Sequence, residues 1–436
     1  MRGGEGRRRR RKASLAALGL AALATVPFVG PKVREASAYP LDASKETGIT
    51  RLEGFRRAQK VNKVFPRGIE LTSAQVQLKL ADQPKFRIPP PDPELSRELV
   101  ALLGRDANAY GVALLDLSDP KKPRYAAWHA DHVFQPGSVG KILTALGFFQ
   151  ALADAFPDVE KRKQVLRETK VVADEFIYKD DHEVPFWVEG QYKVERRPIE
   201  EGDAANPWTY LDWMISSSSN AAASMVQKEA ILLNHFGDDY PPSPEDADAY
   251  MRRAGSGELS RGVNATLHAA VRRNGLDPGK LRQGGFFTKE GKRRAPSPGS
   301  YATPRSLLEY VVAMEKGDLI DRFSSLELKR LLYLTDNRIR YAASPALNDA
   351  AVYFKSGSLF RCRPEAGYAC EKYHGNLWNY MNSLAIVEMP NRAVPLDYVV
   401  VVMSNVLRKN SAEEHLALAT LIQSMMEEQH PLPKQG

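Results

Sequence analysis

The chain predicts a mixed α/β (α+β) fold, with strand-length apolar runs near both ends of the sequence and helical stretches between and after them. Residues 110–117 and 124–129 are two apolar, strand-length runs separated by Asp119-Pro120 and Lys121-Lys122-Pro123, which spells a hairpin. Near the other end, residues 352–354, 384–387 and 396–403 are three more such runs. Between and after them lie stretches with apolar residues at helical spacing.

In chain order, residues 39–87 show no sustained periodicity. Ile88-Pro89-Pro90-Pro91-Asp92-Pro93 then breaks regular structure, because each proline fixes φ and lacks a donor. A boundary falls there, making residues 39–93 an N-terminal extension with a Pro-rich linker and residues 94–430 one catalytic-sized domain. Residues 94–103 place Leu95, Leu99, Leu102 and Leu103 on one helical face. Residues 142–153 are apolar at nearly every position, so that helix is expected to be buried all round. Residues 209–215 are helical ahead of a serine run. Residues 236–300, rich in Pro, Gly and charge, are expected to be a loop-rich insertion. Thr303-Pro304 opens a helix through Met314, the proline suiting a first turn. Residues 412–426 close the chain as a helix with Leu416, Ala419, Leu421 and Ile422 apolar.

The net charge of +8 invites a nucleic-acid partner, but its location argues against one. Arg2, Arg7 to Arg11 and Lys12, set against Glu5 alone, account for +6 of that +8 within the first 12 residues. The remainder is nearly neutral, so no basic binding face is expected. An apolar run of 17 residues, 14–30, follows the arginines; it is short for a membrane span and is placed like the core of an export signal. Ala36-Ser37-Ala38 offers a cleavage site, making residues 1–38 a signal peptide and Tyr39 the new N-terminus; an uncleaved anchor is the alternative. Either way the expected location is periplasmic or extracellular. In that oxidising setting Cys362 and Cys370 are expected to form a local disulfide. The eight histidines form no ligand-spaced pair with them, so no metal site is expected.

Three short elements carry the chemistry. In Pro136-Gly137-Ser138-Val139-Gly140-Lys141 a serine precedes a lysine by three residues, which puts both on one face at the start of a helix. A hydroxyl needs an adjacent base to become a nucleophile, and a buried lysine of lowered pKa can be that base. A phosphate-binding loop would need Gly at Gln135 and Ser or Thr at Ile142, and fails at both. Ser218-Ser219-Asn220 sets a hydroxyl and an amide two positions apart, suited to relaying a proton and holding an amide. Lys355-Ser356-Gly357-Ser358 follows a strand and offers a cation, a hydroxyl and a glycine that lets a ligand approach the backbone. Taken singly, each also fits a helix cap, a serine loop or a β-turn.

Together and in this order, the three elements resemble the active-site signature of class A β-lactamases and penicillin-binding proteins. The hairpin into Ser138, the helix Thr209-Tyr210-Leu211-Asp212-Trp213-Met214-Ile215 before the second element, and the Thr303-Pro304 helix resemble the same family, over about residues 95–428. The resemblance implies a β-lactamase/transpeptidase-like fold, with a five-stranded antiparallel sheet and an all-helical subdomain. It implies Ser138 as the acylated nucleophile, Lys141 as its base and Ser218 as proton relay to the leaving nitrogen. Asn220 would hold a substrate amide, Lys355 would supply positive potential and Ser356 would bind the substrate carboxylate. Gly357 would admit the substrate, while the Ser138 and Ser358 N–H groups formed the oxyanion hole. No metal or organic cofactor is implied, and the partner is a β-lactam or peptidoglycan stem peptide bound by a monomer.

The sequence departs from the family in two places. Class A enzymes carry Glu-x-x-Leu-Asn before the Thr-Pro helix, where the glutamate activates the deacylating water; no copy lies between Asn220 and Thr303. The glutamates there are Glu229, Glu245, Glu258 and Glu290; in Glu229-Ala230-Ile231-Leu232-Leu233-Asn234 the asparagine comes one position late. Ser219 stands where class A enzymes usually have aspartate. Three functions therefore stay open: a class A-like hydrolase with altered deacylation, a D-Ala-D-Ala carboxypeptidase or transpeptidase, and a non-catalytic wall-binding protein of the same fold.

Overall fold

The computed structural model describes residues 41–62, 71–335 and 338–433. The expected signal peptide lies outside them. Among the described residues, no helix is long and apolar enough to cross a membrane.

Five strands form one antiparallel sheet: β1 (Tyr110–Asp116), β2 (Arg124–Trp128), β3 (Ala351–Arg361), β4 (Trp378–Glu388) and β5 (Asp397–Asn405), in the order β2-β1-β5-β4-β3. The N-terminal hairpin thus docks on the C-terminal strands through β1 and β5, with Val112 opposite Val402. Both faces of the sheet are covered. Ala113, Leu115, Val399 and Val401 point into one apolar cluster, and Val112, Leu114, Val400 and Val402 into another. Double burial explains why these strands look continuously apolar in sequence instead of alternating.

The helices that matter here are α1 (Thr50–Asn62), α2 (Pro93–Leu103), α3 (Lys141–Ala155), α4 (Pro207–Ile215), α5 (Asn220–Phe236), α6 (Pro304–Lys316), α7 (Arg322–Tyr333) and α8 (Ser411–Gln429). Leu95, Leu99 and Leu103 of α2 and Leu418, Ala419 and Ile422 of α8 cover one sheet face. The other helices form the larger cluster against the opposite face. At its centre α3 is buried without a break from Lys141 to Leu152, as its nearly all-apolar composition requires. The serine–lysine turn sits where this helical half meets β3.

Three sequence expectations change. Residues 236–300 are largely helical: Pro244–Arg253, Ser256–Val263, Ala269–Arg273 and Lys289–Arg294, with a π-turn at Asn264–His268. Their prolines and polar residues act at helix starts, with Ser243 accepting from Asp246 N ahead of Pro244 and Thr288 from Gly291 N. β3 does not stop at Phe354 but runs on to Arg361, because β4 pairs with it along its whole length. Finally, the residues before Pro93 help build the core. Leu52, Val76 and Leu80 join the main cluster, and Arg51, 1% exposed, makes a buried ion pair with Asp212 of α4 at 2.5 Å. The Pro-rich run is extended and ends with Asp92 capping α2 through Glu94 N and Leu95 N.

Candidate active site

A 3-10 turn, Gly137–Gly140, precedes α3 and carries Ser138. Side chains three apart eclipse in such a turn, so Ser138 and Lys141 stack. Lys141 Nζ lies 2.9 Å from Ser138 Oγ, 2.8 Å from Ser218 O and 2.7 Å from Asn220 Oδ1. Burial lowers the Lys141 pKa to about 7; Asp180 opposes the shift and Lys292 adds to it. A neutral amine there spends its two N–H groups on Ser218 O and Asn220 Oδ1, both acceptors. Its lone pair is left facing the Ser138 hydroxyl.

The second element forms the joint between α4 and α5. Ser218 adopts a left-handed backbone, φ 61°, which turns its side chain out of the helical run. Ser219 caps α5, its Oγ accepting from Ala222 N at 3.1 Å. A carboxylate sequence reasoning did not find completes the cap. Asp180 Oδ2 accepts from Ser219 Oγ at 2.9 Å, Asn220 N at 2.7 Å and Ala221 N at 2.9 Å, while Oδ1 meets His182 Nδ1 at 2.5 Å. Burial alone would raise the Asp180 pKa, but His182 and the donors from Ala221 and Ser219 hold it down at about 2. Thus an aspartate from a distant segment contacts the middle serine of the second element.

On β3, Lys355 Nζ donates to Ser218 Oγ at 2.8 Å and to Ser356 O at 3.1 Å. Its pKa falls well below the ordinary lysine value through burial, then through repulsion from Lys141 and Arg340. Gly357 is required by packing: a Cβ would stand 2.4 Å from Pro136 O and 2.5 Å from Ser138 N. A Cβ on Gly137, at φ +54°, would stand 3.1 Å from Ser358 N. The backbone of the serine turn therefore lies against the β3 edge, bringing the region of Ser138 N close to that of Ser358 N.

Arg340 is a second residue that sequence reasoning missed. Its guanidinium donates to Ser356 Oγ at 2.8 Å, Ser358 Oγ at 3.0 Å and Tyr373 OH at 3.0 Å. No motif marks it; a short turn at a φ of 53° aims it at β3 from 15 residues upstream of Lys355. Tyr373 follows the connection in which Cys362 and Cys370 are bonded, with Cα atoms 6.2 Å apart.

These groups surround a cleft of about 1090 Å³, lined by Ser138, Ser218, Asn220, Ser356, Ser358 and Arg340 together with the loop after Arg282. None of the four glutamates lines it. Glu229 is half-buried on α5 and accepts from Tyr240 OH at 2.8 Å. Glu245 and Glu258 are exposed, and Glu290 pairs with Arg293. The Phe287 ring instead faces Lys141, its centroid 4.6 Å from Nζ. Among the described residues, no group of three or more His, Cys, Asp or Glu side chains is placed to hold a metal.

A five-stranded antiparallel sheet joined to a helical subdomain, with the Ser138–Lys141 turn at their junction, is a β-lactamase-like serine hydrolase fold. Residues 94–422 match the model of the β-lactamase enzyme family, and the chain belongs to that family. TLA-3 extended-spectrum β-lactamase is similar in fold at 13% identity and TM-score 0.50, over 77% of this chain and 98% of that one. PBP-A aligns at 16% identity and TM-score 0.48, over 78% and 100% of the two chains. A β-lactamase from Chitinophaga pinensis aligns at 14% identity and TM-score 0.49, over 76% and 99%. No curated protein matches the sequence.

Proposed function

We propose that the protein is an exported serine hydrolase that is acylated at Ser138 by β-lactams or related D-Ala-D-Ala peptides. The observation that carries this is the buried Lys141 amine 2.9 Å from Ser138 Oγ. Lys141 takes the hydroxyl proton as Oγ attacks the amide carbonyl. The Ser138 and Ser358 N–H groups receive the developing oxyanion, a contribution of roughly a hundredfold or more per donor. Ser218 Oγ hands its proton to the leaving nitrogen and regains one from the Lys141 ammonium, which returns Lys141 to the neutral amine, while the Lys355 hydrogen bond holds Ser218 Oγ in place. Asn220 has its Oδ1 committed to Lys141, which leaves Nδ2 for a substrate carbonyl. Arg340, Ser356 and Ser358 offer a cation and two hydroxyls to a substrate carboxylate.

A second reading follows from the opposite wall. No glutamate lines the cleft and Phe287 stands over Lys141. The carboxylates that do line it are Asp180, held in the α5 cap, and Asp181, so the family's dedicated glutamate base, worth about 10²–10⁴ in rate, is not among the described lining residues. That favours a long-lived acyl-enzyme, the behaviour of a D-Ala-D-Ala carboxypeptidase or transpeptidase, over a fast β-lactamase.

Time-resolved intact-mass spectrometry with benzylpenicillin tests both. An adduct should accumulate to near one equivalent and persist for minutes or longer, and Ser138→Ala should abolish it while leaving the fold intact. Persistent stoichiometric labelling of the alanine variant would sink the nucleophile assignment. Many turnovers per second with no detectable adduct would return the protein to the fast β-lactamases.

A further inference from the structure

Arg340 stands at the start of a short 3-10 turn, Arg340–Ala343. A long arginine side chain has many rotamers, and ordering them costs binding free energy unless the free protein already holds one. Three hydroxyls hold this side chain. Nη1 donates to Ser356 Oγ at 2.8 Å, and Nη2 donates to both Ser358 Oγ and Tyr373 OH at 3.0 Å. The two serines belong to β3 and are the hydroxyls offered to a substrate carboxylate, so a bound ligand competes with them for the guanidinium. Tyr373 reaches the guanidinium from elsewhere, the connection between β3 and β4.

Tyr373 is itself firmly placed. Its backbone is left-handed, φ 69°, a conformation that is costly for an aromatic residue and persists only where the surroundings impose it. Its carbonyl accepts from Ser411 N at 3.1 Å and Ser411 Oγ at 3.3 Å, at the start of α8. Its ring packs edge-on with that of Phe360, the centroids 6.1 Å apart, and Arg340 Cζ lies 5.0 Å from its centroid. Burial would raise the Tyr373 pKa, but the Arg340 and Lys372 charges hold it below the ordinary phenol value. The Cys362–Cys370 bridge closes the stretch between the end of β3 and this residue. Tyr373 thus lines the cleft as a fixed acceptor beside the cation.

We propose that Tyr373 is the positioning residue that keeps Arg340 aimed at the substrate carboxylate, so that the guanidinium stays in place when Ser356 and Ser358 turn to the ligand. This role rests on the carboxylate site of the proposed function. It makes the connection between β3 and β4 part of substrate selection.

The experiment measures the concentration giving half-maximal acylation by benzylpenicillin and by its methyl ester, in the wild type, Tyr373→Phe, Arg340→Ala and the double variant. Phenylalanine keeps the ring and removes only the acceptor. The half-maximal concentration for the acid should rise roughly tenfold, the worth of one hydrogen bond. The limiting acylation rate and the values for the ester should move far less. In the Arg340→Ala background, Tyr373→Phe should add nothing, because a residue acting through another has no effect once that other is gone. Equal values for the wild type and Tyr373→Phe, equal losses for acid and ester, or full additivity in the double variant each overturn the role of Tyr373. If the phenylalanine variant does not fold, Tyr373→Asn decides in its place. Asparagine suits a positive φ but falls short of the phenol position, so the same acid-selective rise is expected. An Arg340→Ala protein that takes the acid as well as the wild type does overturns the carboxylate site and the role of Tyr373 with it. A wild type that forms no Ser138 adduct overturns the acyl-enzyme reading and both of these roles.

Discussion

The two walls of the cleft are made of different materials. On one side the serine turn, the start of α5 and β3 interlock through Lys141, Asn220, Ser218, Lys355 and Arg340, each polar group engaged by another at 2.7–3.1 Å. On the other, the loop after Arg282 presents Gly284, Gly285, Phe286 and Phe287, then Pro296, Pro298 and Gly299. The first wall holds two buried amines whose charge burial disfavours, and under the proposed function it is the wall that makes the ester. The second presents aromatic faces and backbone, with Lys292, Ser297 and Ser300 among its polar side chains. Under the proposed function, forming and breaking an acyl-enzyme are separate demands placed on separate stretches of chain, and the polar wall answers the first.

The largest break in that contrast comes from Lys141→Ala, which should slow acylation by about 10²–10⁴ in stopped-flow labelling with a fluorescent penicillin, and leave only slow background reaction. In the wild type the acylation rate should rise with pH through about 7, because Lys141 is competent only after losing its proton. A flat profile between pH 5 and 9 would move the base elsewhere.

Arg340→Ala tests the carboxylate end of the polar wall. Losing a charged hydrogen-bond donor costs about 2 kcal/mol, so the concentration giving half-maximal acylation should rise about thirtyfold for penicillins. An ester lacking that carboxylate should be much less affected. Equal losses for both ligands would mean that Arg340 only holds β3 in shape.

The smallest expected effect is on the α5 cap. Asp180→Asn should cost about 1 kcal/mol of stability, read as a lower denaturation midpoint in urea. The native Asp180 pKa, about 2, lies below its ordinary 3.8, so the folded state binds this proton more weakly than the unfolded chain. Its stabilisation is present above the ordinary value and is lost as pH falls toward 2. The wild-type advantage over the variant should therefore shrink across that window; an advantage unchanged down to pH 2 would assign Asp180 no electrostatic role.

Much of the polar wall was legible beforehand because its residues lie in short local patterns. Ser138 and Lys141 are three apart, Ser218 and Asn220 two apart, and Lys355 to Ser358 are consecutive, so one turn or one strand suffices to relate them. The five strands were legible for a similar reason, since doubly buried strands are continuous apolar runs. Asp180, Arg340 and Phe287 were not. Asp180 reaches the α5 start from about 40 residues away, and Arg340 reaches Ser356 across 16. Residues 236–300 read as loop-rich in sequence because prolines and glycines usually interrupt regular elements, whereas Pro244 occupies a first helical turn behind the Ser243 cap.

By itself, then, the sequence determined the order of the three motifs, the strands that frame them and the buried helix that carries Lys141, all consequences of local spacing and apolar pattern. The tertiary structure alone decided that Lys141 and Lys355 are buried together, that Asp180 completes the cap of the second motif, and that an aromatic ring rather than a carboxylate faces Lys141. Burial, charge proximity and the identity of a facing side chain depend on which segments the fold brings within a few ångströms. No spacing along the chain encodes that distance.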